Sequence, residues 1–230
     1  MVHSESSRSM HASRVATLGA LNMKKMKSAA FGVRAHSGWA ALVAVAGSVR
    51  APEILDRRRI SLVDPGAPAP KVPGHGPEQP YHIAKELKPE EAEAYLARSA
   101  ATTSKLANSA MEEVAATLLQ RGFRITGCGI ILASGRALPA LEQILASHPM
   151  IHTAEGEFFR NAIREACRGM GIAVTGVRER DLFSSAAEKL DFAAARIKRK
   201  MEELRHSAGS PWTADQKNAA VAGFLALMHQ

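Results

Sequence analysis

AFGVRAHSGWAALVAVAG, residues 30–47, followed by PEILDRRRISLVD, residues 52–64, is the stretch on which the fold turns. Two apolar runs, 30–36 and 38–47, are joined at Ser37-Gly38, a dipeptide suited to a tight turn. The third run is apolar at its ends and basic in its middle. Three strands with such short links predict an antiparallel meander. Arg57, Arg58 and Arg59 in the third strand are read as a solvated or edge position that discourages strand addition, in preference to a phosphate stripe.

Working outward, residues 64–80 hold six of the eleven prolines and no periodicity, which makes them a loop. Only ~60 residues precede it, too few for a separate domain. His75 within this loop is expected to be exposed. Lys88-Pro89-Glu90-Glu91 opens a long helix, with Pro at its first position and acids in its first turn. That helix ends near Arg121, where Gly122 supplies a left-handed cap. FRITGCGIILAS, residues 123–134, reads as a buried strand whose Gly127 and Gly129 leave room for another backbone. A short helix over 139–146 and a stronger one from about Thr153 follow, the latter carrying Phe159, Ile163, Ala166 and Met170 on one face. Residues 171–177 predict a second buried strand, and 181–206 a charged, amphipathic helical segment. Gly209-Ser210-Pro211 breaks the chain, Trp212 serves as a staple, and Thr213 caps a last helix, ADQKNAAVAGFLALMH.

The composition suits one α/β domain with flanking segments: 230 residues, 46% hydrophobic, 23% charged, with 17 Gly and 2 Cys. It excludes a collagen-like chain, a disulfide scaffold and a mostly disordered protein. Residues 1–30 carry Arg8, Arg14, Lys24, Lys25 and Lys27 against Glu5, a net +4, so half of the total +8 sits there. Residues 1–29 are therefore expected to be a disordered basic leader or an over-long start, with Met10, Met23 and Met26 as internal starts. The remaining basicity permits a nucleic-acid partner without requiring one. No stretch approaches the ~20 apolar residues that span a bilayer. Cys128 and Cys167 stand far apart, which fits a reducing cytoplasm with neither disulfide nor zinc site.

Three strands, helix, strand, helix, strand, helix resembles the ribonuclease-H-like superfamily, nearest its Holliday-junction resolvase branch. There the first strand ends in Gly-hydrophobic-Asp and returns through a glycine turn; the matching residues are Gly32-Val33-Arg34 and Ser37-Gly38-Trp39. The family's last helix opens with two acids three residues apart, matched by Asp215 and Asn218 before Ala219-Ala220. The resemblance covers residues 30–229. It implies a single three-layer α/β domain over 30–230, with a mixed five-stranded sheet, an antiparallel meander and then parallel strands, flanked by helices. It also implies carboxylates converging on two magnesium ions. Here Arg34 takes the first of those positions, Ala133-Ser134 the fourth-strand position, and only Asp215 is retained. The expectation is therefore no cofactor, with magnesium only if the chain is a divergent nuclease.

Loops at the carboxyl ends of the strands place Arg34, His36, Ser134, Gly135, Arg136, Asp215 and Lys217 at one edge. Ser134-Gly135-Arg136 combines a hydroxyl, a backbone donor and a guanidinium that together suit a phosphate. Thr153 is read as the cap of its helix, Glu155 as sharing a face with His152, and Gly156 as a sign of a close neighbour. No two of the nine histidines stand four apart within a predicted helix, so they are read as surface or isolated. Trp39 is a core residue or a plate for stacking on a base. Two readings result. One is a non-catalytic or divergent ribonuclease-H-like domain binding nucleic acid or another phosphate-bearing ligand. The other is a nuclease or phosphoryl-transfer enzyme using His36, His152, Glu155 and Asp215, which requires Glu155 and Asp215 to share a cleft. A protein partner on the 181–206 helix requires an exposed apolar stripe there.

Overall fold

Alternation along the first strand creates two faces. β1 (Lys27–His36) sends Ala29, Phe31 and Val33 into one core, and Ala30 into another. The same alternation puts Gly32, Arg34 and His36 on the Ala30 side. A computed structural model of the chain describes residues 26–66, 72–133 and 137–228. The sheet begins three residues earlier than the sequence pattern suggested, so 27–29 belong to β1; the rest of the expected leader, up to residue 25, lies outside the described residues.

β2 (Trp39–Gly47) pairs antiparallel with β1, and β3 (Pro52–Ser61) pairs antiparallel with β2. Gly38 makes the first turn at φ +78°, a conformation that favours glycine. After the proline-rich loop come α1 (Pro80–Lys85), α2 (Pro89–Gln120) and β4 (Phe123–Leu132), the last parallel to β1. α3 (Leu141–Leu145) and α4 (His148–Gly169) lead to β5 (Ala173–Arg178), parallel to β4. A single 3₁₀ turn (Glu179–Asp181) precedes α5 (Leu182–Lys189), α6 (Ala194–Glu203), α7 (Arg205–Ala208) and α8 (Ala214–Leu227). The sheet order is β3-β2-β1-β4-β5, the expected mixed sheet with its meander on one side and parallel strands on the other.

Two layers of helix cover it. On one face α2 and α4 bring Met111, Leu118, Phe159 and Ile163 against Phe31, Leu42 and Ile130. On the other, α5, α6 and α8 bring Leu182, Ile197, Met201 and Phe224 against Val43, Val45 and Ile131. Each such fully buried side chain contributes about 1.5–3 kcal/mol. α8 sits very close: a Cβ on Gly32 would stand 1.7 Å from the Ala219 carbonyl oxygen, and one on Gly129 1.9 Å from that of Ala222. The alternating glycines of β1 and β4 are what admit this helix.

Four expectations are corrected. β5 is the sheet's far edge and mostly exposed, because little packs over it beyond Val177. α4 starts at His148 rather than near Thr153: Pro149 occupies its first turn, where a missing N–H costs nothing. The Thr153 hydroxyl donates to the Pro149 carbonyl, as a residue inside a helix does. The 181–206 segment breaks at Asp191 (φ +47°), and its apolar residues Ile197, Met201 and Leu204 are buried, so the stripe that would have met a partner is consumed internally. His75 is half-buried, stacked on His82 with ring centroids 4.8 Å apart. Among the described residues, no helix is long and apolar enough to cross a membrane.

Candidate functional site

The carboxyl end of β1 carries Arg34 and His36 out beyond the point where Gly32 meets α8. α8 is anchored there by its first turn: the Thr213 hydroxyl accepts from the Gln216 N–H, and the Gln216 side chain accepts from the Thr213 N–H. This capping box fixes Asp215, two residues past the cap, over the end of β1. Arg34 donates to Asp215 and, at 2.6 Å, to Glu179, which follows β5. The Arg34 and Asp215 side chains are each 22% exposed, while Glu179 is about half exposed. One planar guanidinium therefore serves two carboxylates from two different elements.

His36 continues the row. Its Nε2 lies 3.3 Å from Asp215 Oδ1, out of line for a hydrogen bond, so this buried nitrogen has no hydrogen-bond partner among the described residues. Its ring stacks on Trp39 at 4.2 Å with planes 9° apart. The Arg59 guanidinium, from the other neighbouring strand, sits 3.9 Å from the centre of the Trp39 ring. Arg59, Trp39, His36, Asp215, Arg34 and Glu179 thus form one chain of contacts along the strand ends. Trp39 is half-buried and engaged by both neighbours, which leaves it as packing rather than a plate for a base.

The three arginines of β3 lie at a sheet edge, as expected, but they are engaged rather than merely solvated. Arg57 donates to the carbonyls of Ala208, Ser210 and Pro211, tying the segment before α8 to the edge. Arg58 bridges Asp56 and Glu113, both of which raise its pKa. Lys217 turns away from the row to pair with Glu202 of α6 at 2.6 Å. Ser134, Gly135 and Arg136 lie outside the described residues.

Glu155 and His152 stand elsewhere. They are on α4, on the α2 face of the sheet, whereas Asp215 is on α8, across it. The four-residue constellation of His36, His152, Glu155 and Asp215 is therefore not assembled. Instead, Glu155, 2% exposed, accepts from the His82 backbone N–H at 3.2 Å and pairs with His82 Nδ1 at 2.8 Å. His82 meets the rings of His148 and His152 edge-on at 5.4 and 4.9 Å. Nearby, burial and then the charge of Glu155 push the Tyr81 phenol up. The neighbour that Gly156 accommodates is Arg160 of its own helix, whose Nη2 would lie 2.6 Å from an added Cβ.

Glu179, His82 and His148 were missed in the sequence. For His148 the signal was present: His148 and His152 stand four apart, but the misplaced helix start hid that spacing. Glu179 and His82 come from distant segments and carry no local motif.

The strand-end row does not fit a pair of magnesium ions. Such ions require several oxygen ligands converging on one point. Here a guanidinium occupies the space between the two carboxylates and repels a cation.

No protein-family model and no curated protein matches the chain. Two solved structures of RuvC from Thermus thermophilus are similar to it at 13% identity, one described as being in complex with a Holliday junction substrate. That one aligns over 88% of this chain and 94% of its own with a TM-score of 0.48; the other aligns over 87% and 94% with 0.47. The mixed five-stranded sheet, antiparallel on one side and parallel on the other, is the fold expected from the sequence.

Proposed function

We propose that this chain is a non-catalytic ribonuclease-H-like domain that binds nucleic acid or another phosphate-bearing ligand at the strand-end row. The observation that carries the reading is Arg34, held between Asp215 and Glu179 where the resemblance expects a metal-binding carboxylate. A guanidinium there supports anion recognition and opposes two-metal hydrolysis. Arg59 is exposed at the β3 end of the same row. Both arginines present planar forks that match phosphate oxygens, and an incoming phosphate competes with the two carboxylates for Arg34. Residues 31–230 keep a net charge of +4, half of the total +8, which is compatible with the approach of a polyanion.

The test is fluorescence anisotropy with labelled duplex and branched DNA over a range of salt. Binding is expected to weaken steeply as salt rises, because each phosphate contact releases about 0.9 counterions. Arg59→Ala is expected to lower the salt slope by about 1. No strand cleavage is expected in magnesium. Magnesium-dependent cleavage that Asp215→Asn abolishes, or the absence of salt-sensitive binding, overturns the reading.

A further inference from the structure

The histidines beside Glu155 form a second cluster, across the sheet from the strand-end row and independent of the reading above. His148, His152 and Glu155 stand at i, i+4 and i+7 on α4, which places them on one face. α1 delivers His82 to the same spot. We propose that His82, His148 and His152 bind a divalent first-row transition ion of the zinc type, with Glu155 holding His82 in position.

One ring nitrogen from each of the three lies within 4.8 Å of the others. Ligands placed tetrahedrally around zinc at 2.0–2.1 Å stand about 3.4 Å apart. His148 Nε2 and His152 Nε2 are already 3.1 Å apart, close to that spacing. Two imidazole lone pairs facing each other at that distance repel unless a proton or a cation lies between them.

The environment of His82 selects its free nitrogen. Glu155 Oε1 engages its Nδ1, which leaves Nε2 as the metal donor. A carboxylate behind a ligating imidazole fixes its tautomer and makes it a stronger ligand. Glu155 is itself held by the His82 backbone N–H, the kind of hydrogen bond a buried carboxyl group requires. His75, stacked on His82, packs the ring from a further side.

Three imidazoles are borderline nitrogen ligands that suit zinc, nickel or copper, whereas magnesium and calcium demand oxygens. His148 and His152 are exposed while His82 is buried, so an ion reaches the site from solvent and keeps one coordination position open. Three protein ligands with an open fourth position differ from the closed sets of structural zinc sites.

The test is calorimetric titration of the full chain with zinc chloride, with cobalt absorption as a second readout. One ion per chain is expected, unaffected by excess magnesium. His148→Asn and His152→Asn change exposed positions and are expected to weaken binding at least about 10–100-fold, the range for outer-shell partners. Glu155→Gln is expected to weaken it by about 10–100-fold as well. His82→Asn separates a three-ligand site from a simple pair on one helix: wild-type affinity in a folded His82→Asn overturns the proposal. Ring-nitrogen NMR of the unaltered chain settles the same point without relying on a variant's folding. The rings of His82, His148 and His152 are all expected to shift with zinc, and an unshifted His82 overturns the site.

Discussion

Arg34 binds Asp215 and Glu179 together, and its removal leaves two carboxylates with no shared cation. Arg34→Ala is expected to cost about 1–3 kcal/mol, the range for leaving a buried hydrogen-bonding group unsatisfied, because solvent reaches both carboxylates in part. Arg34→Lys is expected to recover only part of that, because a single ammonium does not present two directed forks. Urea unfolding of the three proteins checks both. Cys128 behaves differently. Its neighbour Cys167, and then burial, push its thiol well up. The folded protein therefore keeps this proton at a pH where an unfolded chain, with a thiol near 8.5, releases it. The contribution to stability is fully present below about 8.5 and is lost as pH rises above it. Alkylation of Cys128 is expected to be slow in native protein and fast in urea, and unfolding free energy is expected to fall on the alkaline side. Gly32 and Gly129 were legible in the sequence because a strand glycine has few purposes other than close approach. Glu179 was not, since an acid after an edge strand resembles any surface acid until the fold brings it to Arg34.

At the scale of elements, α8 has a strong local signal and α4 a misleading one. Thr213 and Gln216 complete a reciprocal cap, which was legible in part from Thr213 alone. Because α8 lies against β1, β2 and β4, loosening its start disturbs Asp215 as well. Thr213→Ala is expected to cost about 0.5–2 kcal/mol, measured by thermal or urea unfolding. It is also expected to weaken any anion binding that depends on the Arg34–Asp215 geometry. α4 shows the converse. His148-Pro149 reads as a break, yet Pro in a first turn starts a helix as readily as it ends one. A start at Thr153 in place of His148 drops a little more than one turn from the helix and conceals the histidine spacing. The 181–206 segment was read as helical and wet, but the turn at Asp191 redirects α6 so that its apolar side lies under α8. Local charge does not reveal which side a later helix will cover.

For the whole molecule, the sheet acts as a partition. Arg34, His36, Asp215 and Glu179 lie on the α8 face; His82, His148, His152 and Glu155 lie on the α2 and α4 face. The two clusters lie on opposite faces of the sheet and, among the described residues, share no hydrogen-bond or ion-pair partner. Element order alone carried the architecture in the sequence, but it did not say which side of the sheet each helix takes. That side decides whether Glu155 and Asp215 belong to one site or to two. Mutations at sites this far apart, without shared contacts, add to within about 0.3–0.5 kcal/mol. Arg34→Ala and Glu155→Gln are each expected to destabilise the fold, and the double variant is expected to lose the sum of the two within that margin. The same cycle applies to ligands: Arg34→Ala is expected to leave zinc binding unchanged, and Glu155→Gln to leave the salt slope of DNA binding unchanged. A coupling larger than about 0.5 kcal/mol in unfolding, or a shift in either ligand's binding from the distant variant, means that the sheet transmits between its faces and that the two clusters work as one device.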